Sequence, residues 1–268
     1  MKQKQIAVIT GASSGIGKEF AVQLKSFGKF DEVWVIARRL DRLEALTEEI
    51  PFPIKPIALD LSKAESFTEY EKLLETEKPA VKLLINCSGF GIFDSVVDTP
   101  IEKNLNMIDL NCKAVVGMCQ TTIPYMPKNS NIINVSSISS YQPVPFVNIY
   151  AATKVFVKQF SRALVYEVRK QKIKVTAVTP YWTKTEFFNR AVDPNDDPVV
   201  KKYAVMYEPK KVVKQAYKDA RKGKQVSMYG FQTRATIALA YILPDRAIML
   251  YWMTQQKLWN RGIRKLEK

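Results

Sequence analysis

Tyr150 and Lys154 stand four residues apart in Tyr150-Ala151-Ala152-Thr153-Lys154, at the start of a segment whose apolar residues recur at helical spacing. On a helix such positions share a face, so a phenol and an ammonium can act together. The pairing suits proton transfer. A phenol with a pKa near 10 is a poor base at neutral pH, and a neighbouring ammonium stabilises phenolate and brings it toward the working range. Such pairs are also common by chance on amphipathic helices, so the surroundings must give this one meaning. Upstream, the apolar run Asn131–Val135 delivers Ser136-Ser137 at the carboxyl end of an expected strand, where open α/β sheets bind ligands. A hydroxyl there can hold a substrate oxygen, though hydroxyl residues also simply end strands. Asn111 falls inside a segment of helical period where asparagine is a mediocre helix former, which fits either a polar task or plain exposure.

A second constellation lies at the N-terminus. After the strand-like Gln5–Thr10 comes Gly11-Ala12-Ser13-Ser14-Gly15-Ile16-Gly17, and then a helix-compatible run. Gly11 allows a tight turn, Gly15 lets the backbone approach a pyrophosphate, and Gly17 lets the helix pack close to the sheet. The free N–H groups at the helix start favour an anion. The alternative is an ordinary glycine-rich turn. The second strand ends in Ala37-Arg38-Arg39, with no carboxylate where the adenosine ribose of NAD would want one. Arg38, 21 positions beyond Gly17, stands where an arginine accommodates a ribose 2′-phosphate, so NADP is favoured over NAD unless both arginines are merely solvated. Asp60, followed by Leu61, could accept from an adenine amine or cap the next helix through Ser62. Asn86-Cys87-Ser88-Gly89 puts small residues where a cofactor would cross the sheet edge, or is a strand-ending turn.

The elements that must position these residues alternate in type. Strands are expected at Gln5–Thr10, Glu32–Ala37, Ile54–Leu59, Lys82–Asn86, Asn131–Val135 and Lys174–Thr179, with a last one near Gln225–Ser227. Between them, Lys18–Phe27, Leu40–Glu49, Ala64–Glu77, Ile101–Met126 and Val155–Gln171 have helical period. This is the pattern of an α/β fold with a doubly wound, Rossmann-like parallel sheet. Residues 1–230 are expected to form one catalytic domain, with a long mobile connection over Thr183–Pro209 that includes the acidic, proline-rich Asp193–Pro198. Residues 231–268 form a basic, amphipathic C-terminal extension whose apolar runs are far shorter than the roughly 20 residues a membrane span needs.

Composition narrows the chemistry. The 268 residues include no histidine, and Cys87, Cys112 and Cys119 lack metal-ligand spacing, so zinc ligation and imidazole acid/base chemistry have no residues to use. The three cysteines are expected to be free thiols. A formal charge of +15 attracts anions of any kind, whether nucleic acid, acidic lipid or a phosphorylated cofactor. Because the lysines are spread along the chain, nucleic acid is not an expected partner, while the basic stretch Lys257–Lys268 beside Trp252 and Trp259 fits a peripheral membrane contact. The short polar Met1–Gln5 does not resemble a signal peptide, and a cytoplasmic location is expected.

Taken in order, these motifs resemble the short-chain dehydrogenase/reductase family from about Lys4 to Thr185. The glycine loop resembles the family's nucleotide loop, and Ser137, Tyr150 and Lys154 match its Ser and Tyr-x-x-x-Lys at a 13-residue gap, with Asn111 as the fourth member. The resemblance implies that Tyr150 is general acid in reduction and base in oxidation, that Ser137 polarises the substrate oxygen, and that Lys154 holds the nicotinamide ribose and depresses the Tyr150 pKa. Asn111 would anchor a relay water. Pro180-Tyr181-Trp182-Thr183-Lys184-Thr185 resembles the family's segment after the sixth strand, with Pro180, Thr183 and Thr185 near the carboxamide. Two departures put local geometry in doubt: Cys87-Ser88 within the Asn86–Gly89 motif, and Tyr181 where the family carries glycine. Arg38 and Arg39, Asp60, Leu61, Asn86, Ser88 and Gly89 complete the expected NADP(H) site.

The expected reaction interconverts a ketone and a secondary alcohol. Tyr181, Trp182 and Phe187, among other aromatics, suggest a large apolar substrate such as a hydroxysteroid, or else serve as core or oligomer contact. The resemblance also implies a homodimer or homotetramer. Alternatives are a 3-oxoacyl-type reductase and an NADP-binding sensor or scaffold without turnover.

Overall fold

The computed structural model describes residues 3–191 and 198–266; the expected acidic segment 193–197 and the final residues of the basic tail lie outside them. Seven strands form one parallel sheet: β1 (Gln5–Thr10), β2 (Glu32–Ala37), β3 (Ile54–Ala58), β4 (Ala80–Asn86), β5 (Asn131–Val135), β6 (Lys174–Val178) and β7 (Val226–Ser227). Their order is β3-β2-β1-β4-β5-β6-β7, so the winding reverses between β1 and β4 and opens a crevice at their carboxyl ends. The edges are β3, which carries Pro56 in register with Val35, and the two-residue β7.

The strands are apolar throughout because helices cover both faces. Ile6, Val8, Trp34, Ile36 and Leu84 point to one face, where α3 (Glu65–Glu77), α5 (Ala114–Thr122) and α6 (Asn148–Glu167) close the core. Their neighbours Ala7, Ile9, Val33, Val35 and Ile85 point to the other, against α1 (Gly15–Val22), α2 (Leu40–Glu44) and α8 (Pro209–Arg221). The α/β doubly wound fold is therefore as expected. The segment expected as one helix over Ile101–Met126 consists of α4 (Ile101–Ile108), a π turn at Asp109–Lys113 and α5. Short helices α7 (Phe188–Ala191), α9 (Phe231–Ile242) and α10 (Asp245–Gln255) follow in the C-terminal third.

The described parts of Thr183–Pro209 are not the mobile connection expected. Thr183 bridges Tyr207, Phe93 N–H donates to Ala191 O at 2.9 Å, and Val199 and Val200 are buried. Aromatic and β-branched residues anchor a stretch whose charges and prolines suggested solvent. Among the described residues no helix is long and apolar enough to cross a membrane, and no group of three metal-ligating side chains assembles.

Candidate active site

The crevice is a cleft of about 670 Å³ running from the glycine loop to the C-terminal helices. At its first end the backbone does the shaping. Gly11 takes φ +67°, its N–H donates to Ile36 O at 2.8 Å, and a Cβ there would lie 2.8 Å from the Cys87 carbonyl. A Cβ on Gly17 would overlap the Gly11 carbonyl. Ser14 caps α1 in extended conformation without a side-chain hydrogen bond, so the first N–H groups of α1 face the cleft with no side chain answering them. Thr10 Oγ1 accepts from the N–H groups of Cys87 and Ser88 at 3.1 and 3.2 Å and locks the two switch-point loops together. Ser13, Ile16, Arg38, Arg39, Leu61 and Gly89 share this wall.

Two expected cofactor residues do not line the cleft. Asp60 accepts from Ser62 N–H at 3.1 Å and Ser62 Oγ at 2.8 Å, closing a local turn ahead of α3; it does not cap that helix, whose N-cap is Ala64. Burial works to raise its pKa, but these bonds and the charge of Arg38 hold it below the usual carboxylate value. The Asn86 side chain turns under the sheet, donating to Asn134 Oδ1 at 2.9 Å and toward Cys119 Sγ at 3.3 Å. A buried amide needs such partners more than a solvated cleft does.

The chemical centre sits where β5 ends against α6. Ser137 starts a turn, Ile138–Tyr141, with its Oγ accepting from Ser139 N–H at 3.2 Å. Its hydroxyl and the Tyr150 phenol line the same cleft. Burial pushes the phenol up to about 12, against the opposing pull of the nearby Ser137 hydroxyl. Lys154 Nζ donates to Val135 O at 3.0 Å and stands 5.6 Å from the Tyr150 ring centre, over the ring rather than at its oxygen. The expected lowering of the Tyr150 pKa by Lys154 is thus overridden in the cofactor-free chain by desolvation, which also brings Lys154 down to about 8.

Asn111 does not line the cleft either. The π turn places it at zero exposure, and its side chain is spent: Oδ1 accepts from Phe90 N–H at 3.0 Å, while Nδ2 donates to Phe90 O at 2.9 Å and Thr153 Oγ1 at 3.0 Å. The side chain binds the loop after β4 to α6 instead of presenting its amide to a water. That loop approaches closely; a Cβ on Gly89 would lie 2.8 Å from Asn111 Oδ1.

Lys158 was not singled out from sequence. One turn beyond Lys154 and equally buried, it donates to Ser140 O and lies 3.6 Å from the centre of the Tyr141 ring, while Ser140 Oγ donates to Ser137 O at 2.6 Å. Burial lowers it to about 8. A lysine four residues from another on a helix whose interior face is otherwise apolar was the available signal.

Aromatic rings wall the far end. Phe93 meets Tyr150, Trp182 and Phe187 at 6.3, 6.2 and 6.0 Å, whereas Tyr141 faces away, onto Tyr241 of α9. Tyr181 occupies its position without a positive φ, so the departure from glycine costs no backbone strain, and it lines the cleft together with Gln232 and Thr236 of α9. Phe146 bears strain instead, at φ +62° between Ser137 and Tyr150. Trp252 of α10 donates to the adjacent Pro145 O at 3.0 Å. The basic tail is fastened here too: Arg261 and Arg264 pair with Asp94, and the N–H groups of Arg264 and Lys265 donate to Asp98 at 3.2 and 2.9 Å.

Known proteins match this geometry. Over residues 5–196 the chain matches the family described as short chain dehydrogenase. An uncharacterized oxidoreductase of Staphylococcus aureus is 30% identical over 218 residues, covering 78% of this chain and 93% of the relative. A probable short-chain type dehydrogenase/reductase of Helicobacter pylori is 29% identical over 264 residues, 90% of this chain and 93% of the relative. Among solved structures, a short-chain dehydrogenase from Sphingobium yanoikuyae in complex with NADPH superimposes with a TM-score of 0.75 at 26% identity, covering 91% of this chain and 94% of the other. A match spanning both the glycine loop and the Ser137, Tyr150 and Lys154 cluster leaves one conclusion: the chain belongs to the short chain dehydrogenase family of oxidoreductases.

Proposed function

We propose that the protein is an NADP(H)-dependent oxidoreductase that interconverts a bulky apolar ketone and its secondary alcohol. The observation that carries this reading is one cleft holding both ends of the chemistry: Ser137, Tyr150 and buried Lys154 at one end, and the glycine cradle with Arg38 and Arg39 at the other. The cradle fits a dinucleotide: glycines at 11 and 17, where a Cβ would strike backbone, hold the turn tight, and the α1 N–H groups that no side chain caps line the cleft for a pyrophosphate. Arg38 and Arg39 line the cleft at the end of β2, where NAD binding would want a carboxylate, and suit a ribose 2′-phosphate. NADPH in the Sphingobium relative supports the same choice.

In reduction the cofactor supplies a hydride to the carbonyl carbon. Tyr150 gives its proton to the carbonyl oxygen, and its raised pKa keeps that proton in place until charge develops on the substrate. Ser137 donates to the same oxygen and stabilises the forming alkoxide. Lys154, as ammonium, offers positive charge beneath Tyr150 and a donor for a ribose hydroxyl. Asn111 serves as a positioning residue through Phe90 and Thr153. Residues 231–268 form part of the substrate half, with Trp182, Phe187 and Trp252 selecting for apolar bulk. A sensor without turnover is not favoured, because all three reacting side chains converge. Exposed Ile101, Leu105 and Phe156 on α4 and α6 support a homodimer or homotetramer through those helices.

The test is NADPH consumption at 340 nm with steroid, bile-acid and acyl ketones, beside Tyr150→Phe. We expect turnover to fall by about 10³-fold in the variant while NADPH binding stays within a few-fold. Turnover that survives the substitution would refute Tyr150 as the acid.

A further inference from the structure

The segment 235–256 carries only two charges, Asp245 and Arg246, yet much of it is exposed. In α9 only Thr233 and Ile237 are buried, and in α10 only Ile248 and Trp252. The remaining faces are apolar as well: Tyr241 is 74% exposed, Ile242 77%, Tyr251 67%, Leu239 53% and Leu250 43%. A helix apolar on all sides is ordinarily buried on all sides. Here one side packs on the cleft and the other meets solvent, a larger apolar surface than scattered exposure explains.

Charge around the patch indicates what covers it. Arg234, Arg246 and Lys257 are exposed and frame the hairpin, and none forms an ion pair among the described residues. By contrast, the tail arginines Arg261 and Arg264 are engaged by Asp94 and Asp98. A second copy meeting this face across a two-fold axis would gather three framing cations from each side into one seam, with Asp245 the one carboxylate that segment 235–256 supplies. An anionic surface would attract them, as would the chain's net +15. Tyr241, Tyr251 and Trp259 supply the amphipathic rings suited to a headgroup layer.

We propose that the α9–α10 hairpin docks on the surface of an anionic lipid bilayer, with Ile242 and Leu250 at the headgroup–acyl boundary and Arg234, Arg246 and Lys257 among the phosphates. Leu239, Leu243 and Tyr251 both line the cleft and reach its exposed rim, so docking turns the mouth of the cleft toward the lipid. The contact stands independently of the catalytic reading.

The experiment is co-sedimentation of the purified full chain with phosphatidylcholine vesicles and with vesicles containing about one quarter phosphatidylserine. Wild type is expected to bind the anionic vesicles and to release them as salt rises. Ile242→Glu/Leu250→Glu should weaken binding at least about tenfold without lowering the melting temperature. Should that pair fail to fold, Arg234→Gln/Arg246→Gln on the exposed rim reads the same contact through a reduced salt dependence. Absence of wild-type binding at low salt, or undiminished binding by both variants, overturns the proposal. So does a dimer in solution that the hairpin variant splits while vesicles are ignored, because a second copy would then own the surface.

Discussion

The two ends of the cleft are built by different means. At the cofactor end, one short stretch of chain supplies the surface: Gly11 to Gly17 turns, approaches Cys87 and starts α1, with glycines where a Cβ would collide with backbone. At the substrate end, no stretch is sufficient. The loop bearing Asp94, the strained Phe146, the Trp182–Phe188 aromatics and α9–α10 are separate segments of the chain, joined by contacts as distant in sequence as Trp252 to Pro145 and Arg261 to Asp94. The comparison teaches that a site made of backbone tolerates little substitution, whereas a site made of side chains from distant segments can be retuned one contact at a time.

Each half can be broken separately. Gly17→Ala should weaken NADPH binding by about 100-fold and lower the melting temperature, since overpacking against backbone costs roughly 1–3 kcal/mol before cofactor contacts are counted; isothermal titration and thermal melts measure both. Arg38→Ala should cost about 10- to 100-fold in NADPH affinity and leave NADH nearly unchanged, the range of a charge-assisted hydrogen bond. Equal losses for both cofactors would remove the 2′-phosphate role. Trp252→Ala should raise KM for a bulky ketone about tenfold while sparing NADPH affinity, separating the two ends.

The smallest effect concerns pH. Lys154 and Lys158 are both brought by burial to about 8, below the ordinary 10.5, so each loses its charge as pH rises through 8 in the folded chain. Carbonyl-reduction kcat/KM should therefore fall above pH 8, and Lys158→Gln should make the decline shallower, from two ionisations toward one. Folding is linked in the opposite sense. Between about 8 and 10.5 the unfolded chain binds more protons at these lysines than the folded one, so they make stability increase with pH across that window. A urea midpoint at pH 9.5 lower than at pH 8, with no such trend in Lys158→Gln, would contradict these shifts.

The legibility of the molecule follows the same division. The limits of β1, β2 and β5 and the glycine loop were readable because apolar runs and turn glycines are local signals. The Ser137–Tyr150 pair was readable as a spacing. The orientations of Asn86 and Asn111 were not, since each was decided by partners distant in the chain, Asn134 for Asn86 and Phe90 and Thr153 for Asn111; for Asp60 the local turn with Ser62 competed with the cleft, and the residue types alone suit both. The π turn at Asp109–Lys113 leaves no periodicity signature, because a single extra residue shifts the helical face without interrupting it. Lys158 was hidden by the expectation that lysines lie on the surface.

The margins of the sheet carry a last consequence. Proline has no N–H to donate, so Pro56 interrupts the row of hydrogen-bonding groups that β3 would offer a neighbouring chain, and β7 is too short to template one. Both margins of the sheet therefore disfavour fibre growth by strand addition.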